Sequence, residues 1–585
     1  MQLVFAAVAG AAVLVALLVA YRRRKIAASV AALNRVNAQF EQNRVYKERF
    51  TAAAAQIGDE KASVQLAGVR AMADLADDWP EHRQTCVDAL CAYLRTPDSP
   101  DPGQDAAPED RRKFESDVRD TIIRIITAHL RLSAKVSWRS LDFDFTGVVF
   151  DGGDFSRAGF SGGKVSFSGA RFSSGPVTFA GAEFSGSRVS FDGAEFSSSW
   201  VSFNGAEFSG SEVSLGRAMF SGGEVSLNRA RFSGGEISFD GAEFSGARVN
   251  FDRAEFSGAQ VSFDGAEFSG AEVNFDRAEF SGGQVGFRRS KFSGGETSFR
   301  RARFSGGEVS FGRAQFSGSQ AGQGFAGFSG AEVSGGEISF SGAEFSGSQV
   351  GFGGGMFSGA QVSFDGAEFS AGKVSFADAR FSRGEVNYRG ARFSGGEVSF
   401  GSAALSGGEV SFSGASFSGG EVSFGFSDLS DGQLSFHDAE FSGAQVDFRS
   451  TRFSGAQVSF ILAKFTGGMV SFLLSRFSDG QASFNGAKFT GGMVDFGSAR
   501  FSGGLVDFFS AEFSAGQVSF DGAKFTSQVS FLLAKFSGGE VDFSKVADWS
   551  HQPEFDGLGM QPAGVRLPGG SAASGLSEGP MSAGS

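Results

Sequence analysis

The chain predicts a mainly β solenoid, and three observations predict it. Phenylalanine returns at alternating intervals of seven and five residues, so that Phe172, Phe179, Phe184, Phe191, Phe196, Phe203 and Phe208 mark a twelve-residue beat that continues past Phe520. A fixed period makes each repeat one structural unit that cannot bury its apolar side alone and must stack on its neighbours. The 585 residues include 70 Phe against 4 Tyr and 4 Trp, so the aromatics supply apolar volume rather than a polar tip. With 86 Gly and a 41% hydrophobic share, the chain is too apolar for a disordered Gly/Ser tract and too regular for ordinary low complexity.

The elements follow in chain order. Leu3 to Ala20 carries no charge or strongly polar side chain, and Tyr21, Arg22, Arg23, Arg24 and Lys25 follow at once. That length is about the minimum for a membrane span. A cleaved signal would place its positive charges before the apolar stretch, whereas here they come after it. Residues 1–25 therefore read as a single-pass transmembrane anchor with a basic flank, membrane contact through Leu3 to Ala20, and the repeats on the cytoplasmic side. Residues 26–58 read as a juxtamembrane helix, with Val30, Leu33, Val36 and Phe40 near helical spacing. A helical pair is expected over 59–95, with Val64, Ala67, Met72 and Leu75 on one stripe, a stop at Trp79-Pro80, and Cys86, Leu90 and Leu94 on the next. The Pro- and Asp-rich stretch 96–110 reads as a linker. Over 111–135, Phe114, Val118, Ile122, Ile125, Ile126 and Leu130 form the stripe of a helix expected to cap the first coil. Repeats fill 141–548, and 549–585 read as a C-terminal cap near Trp549 followed by a disordered tail.

The repeats open with Phe145, Phe150, Phe155 and Phe160, five residues apart, before the seven-and-five alternation begins at Phe167. In "VVFDG GDFSR AGFSG", and in every later "AEFSG" or "ARFSG", a small residue stands two places before a Phe that Leu replaces at Leu215, Leu227, Leu405 and Leu429. This resembles the pentapeptide-repeat family, in the form of a membrane-anchored bacterial member, over about two thirds of the chain. The chain departs from the family by adding two residues to every second unit. The resemblance implies a right-handed quadrilateral parallel β-helix, in which the central residue of each unit and the one two places earlier point inward. Strand alternation agrees: Val189 with Phe191 and Ala194 with Phe196 share a face, leaving Asp192, Glu195 and the serines outside. Four units of five and two insertions of two predict a coil of 24 residues, so about 400 residues would make roughly 17 coils and a length of about 80 Å. Past Phe316 the beat falters at Gln323 and Gly335 and resumes at Phe340, which replication slippage explains most simply.

Charge and motifs speak against catalysis. Net charge is −13, and it is uneven: residues 1–140 hold 20 basic and 17 acidic side chains, the remainder 32 and 48. Cys86 and Cys91 are spaced unfavourably for a disulfide on one helix, and with only His82 nearby they complete no metal site. The string Gly159-Phe160-Ser161-Gly162-Gly163 matches a nucleophile elbow but lies inside a repeat without a strand-to-helix turn. Gly322 to Gly327 matches a dinucleotide fingerprint without a βαβ unit, and His437 is a lone outward side chain. No catalytic residue, cofactor or metal site is expected. Arg229, Arg253, Arg277 and Arg301 recur every 24 residues two places after a Phe, and Arg217, Arg289 and Arg313 recur on the opposite side, so each set would stack as an anion-facing stripe. Asp252, Glu255, Asp276 and Glu279 stand ready to neutralise it in surface ion pairs.

These features predict a non-catalytic, membrane-tethered scaffold that presents a β-helical rod to an unknown protein partner. The resemblance suggests an alternative, a DNA-mimicking protein that modulates a topoisomerase such as gyrase, but interspersed Arg columns break a DNA-like potential and nucleic acid is not an expected partner. The sequence names neither the partner nor the oligomeric state.

Overall fold

A computed structural model describes residues 2–96, 108–173, 175–197, 200–317, 326–347, 349–555 and 564–569, with side chains in its helices described from residue 14 and from residue 116. Most of the expected linker 96–110, the fingerprint-like Gly322 to Phe325 and most of the tail beyond Phe555 lie outside the described residues.

The chain divides into two compact units, Met1–Ile126 with Asp142–Asp144, and Thr127–Leu141 with Phe145–Ser585. The first is helical: α1 (Gln2–Ile57), α2 (Ala62–Asp78), α3 (Arg83–Arg95) and most of α4 (Pro108–Leu130). Its core is Ala53 and Ile57 of α1, Val69, Met72 and Leu75 of α2, and Cys86, Leu90 and Leu94 of α3. The α2 stripe differs from the expected one, because Val64 is half-buried and Ala67 exposed while Gly68 and Val69 are buried. Gly68 is the reason: a Cβ there would stand 2.7 Å from Ile57 N and Gln56 Cβ, so only glycine lets α2 close onto the end of α1. Among the described residues no helix is long and apolar enough to cross a membrane. The expected anchor Leu3 to Ala20 is thus without structural support, and the side chains of Leu3 to Val13 lie outside the described residues.

The second unit is a parallel β-solenoid of about 17 turns. One coil shows how it is built. Strands Glu195–Ser197, Trp200–Ser202, Glu207–Ser209 and Glu212–Ser214 follow one another, and each pairs in parallel with the strand 24 residues later: Phe196 with Phe220, Val201 with Val225, Phe208 with Phe232, Val213 with Ile237. The coil of 24 is therefore observed. Four columns of strands result, here called first to fourth in that order. The first two merge into a 31-stranded sheet because strands such as Glu267–Asn274 run through both, while the third and fourth form sheets of 16 and 18 strands.

Inside, the expected pairs turn inward: Val201 with Phe203, Ala206 with Phe208, Val213 with Leu215 and Ala218 with Phe220 are all buried. Each Phe stacks on its equivalent one coil away, as Phe172 on Phe196 (4.7 Å, 3°) and Phe196 on Phe220 (4.6 Å, 3°). Phe251, Phe263, Phe275 and Phe287 meet edge to face across the interior at 6.3–6.4 Å. Aromatic quadrupoles favour both offset stacking and edge-on contact, so one residue type satisfies both directions of packing. Of the polar residues in the small inward position, the Ser290, Ser427 and Thr451 hydroxyls each donate to a Phe carbonyl at 2.7 Å, while the buried Ser475 hydroxyl has no partner. Tyr388 is fully buried between Phe364 and Phe412, and its hydroxyl likewise has no partner.

Two corners per coil are tight turns. In one, Ala206 N donates to Phe203 O at 3.0 Å and the third residue, Gly205, has φ 64. This corner lies between the second and third columns, and its counterpart after Leu215 lies between the fourth and first. Coil length is nearly constant but not rigidly so. Phe316 stacks on Phe345 at 5.0 Å although five extra residues lie between them, and Phe513 stacks on Phe536 with one residue fewer than usual. At the start of the unit the Thr127 hydroxyl donates to Asp154 O at 2.8 Å and Trp138 is buried against His129. At the far end Trp549 sets its ring edge-on to Phe543 at 5.2 Å.

Candidate functional site: the charged columns of the solenoid

The solenoid's outward side chains lie at alternate strand positions and at its corners and bends. Parallel, in-register pairing fixes the geometry: residues 24 apart stand side by side on the same face, about 4.8 Å apart. Opposite charges at that interval attract and like charges repel.

The third column uses this rule in its N-terminal coils. Reading along it, Glu183, Glu207, Arg231, Glu255, Glu279, Arg303 and Glu332 are successive neighbours. Arg231 reaches Glu207 at 2.9 Å and Glu255 at 3.5 Å, and Arg303 reaches Glu279 and Glu332 at 3.3 Å each. Other columns repeat the device, with Arg188–Glu212 (2.7 Å), Arg248–Glu272 (2.8 Å) and Lys291–Glu267 (2.7 Å). Hydrogen bonding to Arg188 holds the Glu212 carboxyl below its usual range, and hydrogen bonding to Glu267 holds the Lys291 amine above its own. Elsewhere carboxylates stand side by side without a cation between them, as Glu385 beside Glu409 and Glu397 beside Glu421.

Further along the third column the pattern changes. Arg452 stands beside Arg476, Arg476 beside Arg500 and Arg500 beside Lys524, all exposed. Among the described residues no ion pair reaches any of the four.

The arginines singled out in the sequence occupy the corner between the second and third columns. Arg229, Arg253, Arg277 and Arg301 all take the third position of the turn, with φ of 58, 57, 58 and 55. Arg217, Arg289 and Arg313 take the same position at the other corner, with φ of 56, 59 and 57. Asp252 accepts from Arg277 at 3.0 Å and lies 3.9 Å from Arg253, while Arg229 and Arg301 have no ion pair among the described residues. Sequence reading missed the left-handed backbone, although the signal was present: Gly193, Gly205, Gly241 and Gly265 fill the same slot in other coils. At the first corner Asp276, Arg277, Arg300, Arg301, Ser329 and Gly330 line an open groove of about 530 Å³. At the second a groove of about 720 Å³ holds Arg288, Arg289 and Arg313 with Glu308 and Glu337. Burial raises the Glu337 carboxyl above its ordinary range, the Glu308 charge adds to this, and Arg288 opposes it.

The motif-like strings find no catalytic setting. Gly159–Ser161 is a solenoid strand paired with Glu183–Ser185, and another strand, Lys164–Ser166, follows it rather than a helix. Cys86 and Cys91 are buried and free, with thiols pushed up to about 11 and about 12 by desolvation, so both stay protonated near neutral pH. Among the described residues no three His, Cys, Asp or Glu side chains gather as a metal site. The chain matches no protein-family model, no curated protein and no solved structure.

Proposed function

We propose that this protein is a non-catalytic scaffold, tethered to a membrane through Leu3 to Ala20, whose solenoid stands on the cytoplasmic side and presents its faces to a protein partner. The observation that carries the reading is the in-register surface: over about 17 turns every outward column repeats at one spacing, an arrangement suited to long, flat contacts rather than to enclosing a substrate. The tether is supported by the uncharged run before Arg22, Arg23, Arg24 and Lys25, and by Leu14, Val15, Leu17, Leu18 and Val19, which are 46–65% exposed on α1. The inward Ala-x-Phe and Val-x-Phe pairs support kinship with pentapeptide-repeat proteins, and with it a right-handed, four-sided coil.

Photo-crosslinking in intact cells from unnatural residues at outward positions such as Glu243 and Glu409, followed by recovery of the membrane fraction, tests the scaffold. A discrete crosslinked protein recovered with the membrane is expected, and a solenoid recovered bare from every position would overturn the reading. Protease added outside sealed cell-derived vesicles of known orientation tests the topology. Digestion of the solenoid from the side opposite the cytoplasm would reverse that assignment.

A further inference from the structure

The corner that carries Arg229, Arg253, Arg277 and Arg301 carries something different in the C-terminal coils. Phe426 and Leu474 occupy the same turn position, with φ of 62 and 60, and are 70% and 52% exposed. Two penalties coincide there. A bulky side chain in the left-handed region is strained, and an apolar side chain in water is poorly placed. Glycine relieves both at once and stands in this slot at Gly330, Gly354 and Gly522. Leu462 and Leu533 show the same combination at the other corner, with φ of 60 and 57 and 50% and 55% exposure, so what sets Phe426 and Leu474 apart is the charge beside them. Strain retained at an exposed position points to a role outside the fold.

Their surroundings identify the partner's chemistry. Two residues after Leu474 the chain enters the third column at Arg476, the centre of the run Arg452, Arg476, Arg500 and Lys524. At about 4.8 Å per coil those four cations span roughly 14 Å, and Phe426 and Leu474 stand roughly 10 Å apart along the flanking corner. The run is bounded in its own column by Asp428 beside Arg452 and by Asp548 beside Lys524, and Asp431 and Asp479 lie on the other flank, at the bend towards the fourth column, without an ion pair to the run among the described residues, which leaves Arg476 and Arg500 with cations on both sides. We propose that this edge docks on an anionic lipid surface, with Phe426 and Leu474 entering the headgroup layer and Arg452, Arg476, Arg500 and Lys524 meeting the lipid phosphates. An apolar edge beside a row of cations suits a membrane interface, where one element sits in the acyl boundary and the other on negative headgroups. A nucleic acid would satisfy the cations and could stack a base on Phe426, but it would leave Leu474 without a ring to stack on. The contact goes beyond the N-terminal tether, because it lies more than 400 residues further along the chain and draws on different chemistry.

The test uses the full chain with Phe426→Cys or Leu474→Cys labelled by an environment-sensitive fluorophore, the native Cys86 and Cys91 being buried. The labelled protein is mixed with phosphatidylglycerol vesicles, with phosphatidylcholine vesicles, and with a single-stranded oligonucleotide. The expected result is a blue shift at both labels on phosphatidylglycerol alone. Combining Arg452→Glu, Arg476→Glu and Arg500→Glu should raise the lipid needed for half the shift at least tenfold, and the matching Gln variants should fall between. Circular dichroism checks that each variant keeps its β signal, and if the Glu variant unfolds the Gln variant decides. An equal shift on phosphatidylcholine, no shift on phosphatidylglycerol, or binding of the oligonucleotide without a shift would each overturn the proposal. Sedimentation with phosphatidylcholine reports the tether separately: sedimentation without a shift on either lipid removes the docking edge and leaves the tether, whereas a phosphatidylglycerol-specific shift without sedimentation on phosphatidylcholine does the reverse.

Discussion

Two stretches of the third column share one backbone and one core and differ in what they show to solvent. Around Arg231 and Arg303 each cation sits between two carboxylates one coil away on either side. Around Arg476 the neighbours on both sides are cations. The phenylalanines beneath are equivalent: Phe232 to Phe256 is 4.9 Å and Phe453 to Phe477 is 4.6 Å. The difference teaches that this solenoid decouples its two chemistries. Inward residues set the coil, and outward residues are free to balance their charges or leave them open. Register makes each outward strand residue meet its 24th neighbour first, so a run of like charges in one column stays unbalanced unless a corner or bend residue reaches it, as Asp252 reaches Arg277.

The largest effect should test the shared core. Phe256→Ala and Phe477→Ala remove matched rings and should each cost about 3–5 kcal/mol in denaturant unfolding. Values differing by more than about 1 kcal/mol would break the comparison, by showing that the regions differ inside as well as outside. Between the two regions, Tyr388→Phe removes a buried hydroxyl with no partner and should stabilise the solenoid by about 1–2 kcal/mol. A loss of stability would mean that the hydroxyl is satisfied after all. Charge reversal sharpens the comparison, because it should act with opposite sign at the two sites. Arg231→Glu sets a third carboxylate between Glu207 and Glu255 and should destabilise by about 1 kcal/mol, while Arg476→Glu gains two cationic neighbours and should stabilise by about 0.5 kcal/mol. Molar salt should shrink both, and the same sign at both positions would refute the ladder rule. The smallest effect concerns pH. The Glu337 carboxyl is raised in the folded state, so the folded chain binds that proton more tightly and stability is lost as pH rises through the folded value. Glu337→Gln should flatten that slope above the ordinary carboxylate range, measured as melting temperature against pH. An unchanged slope would show that the groove leaves this carboxyl in water.

The period was legible because burial is monotonous: a slot that must hold Phe holds Phe in nearly every coil, and the five-residue run from Phe145 to Phe160 exposes the unit. The spacing Phe172, Phe196, Phe220 is the coil itself. The corner conformation was written in the alternation of Gly205 with Arg229, yet a residue that keeps recurring invites a reading as a binding stripe rather than as an occupant of a strained turn. The cation run was harder to see, although Arg452, Arg476, Arg500 and Lys524 are 24 apart. Its meaning depends on what is missing from the neighbouring coils, and a pattern of absences emerges only after register is known. The stripe of α2 was displaced by one close approach at Gly68, which helical spacing alone cannot foresee.

The coil that carries five additional residues between Phe316 and Phe345 has a further implication. On both sides of it the stacking resumes at the usual distance and in the same columns, Phe292 on Phe316 at 4.8 Å and Phe345 on Phe369 at 4.8 Å. A change in the length of one repeat is thus confined to that coil instead of propagating through every later one. Such a chain can gain or lose coils over its history while each surviving face keeps its alignment, so its length is open to selection without redesign of its core.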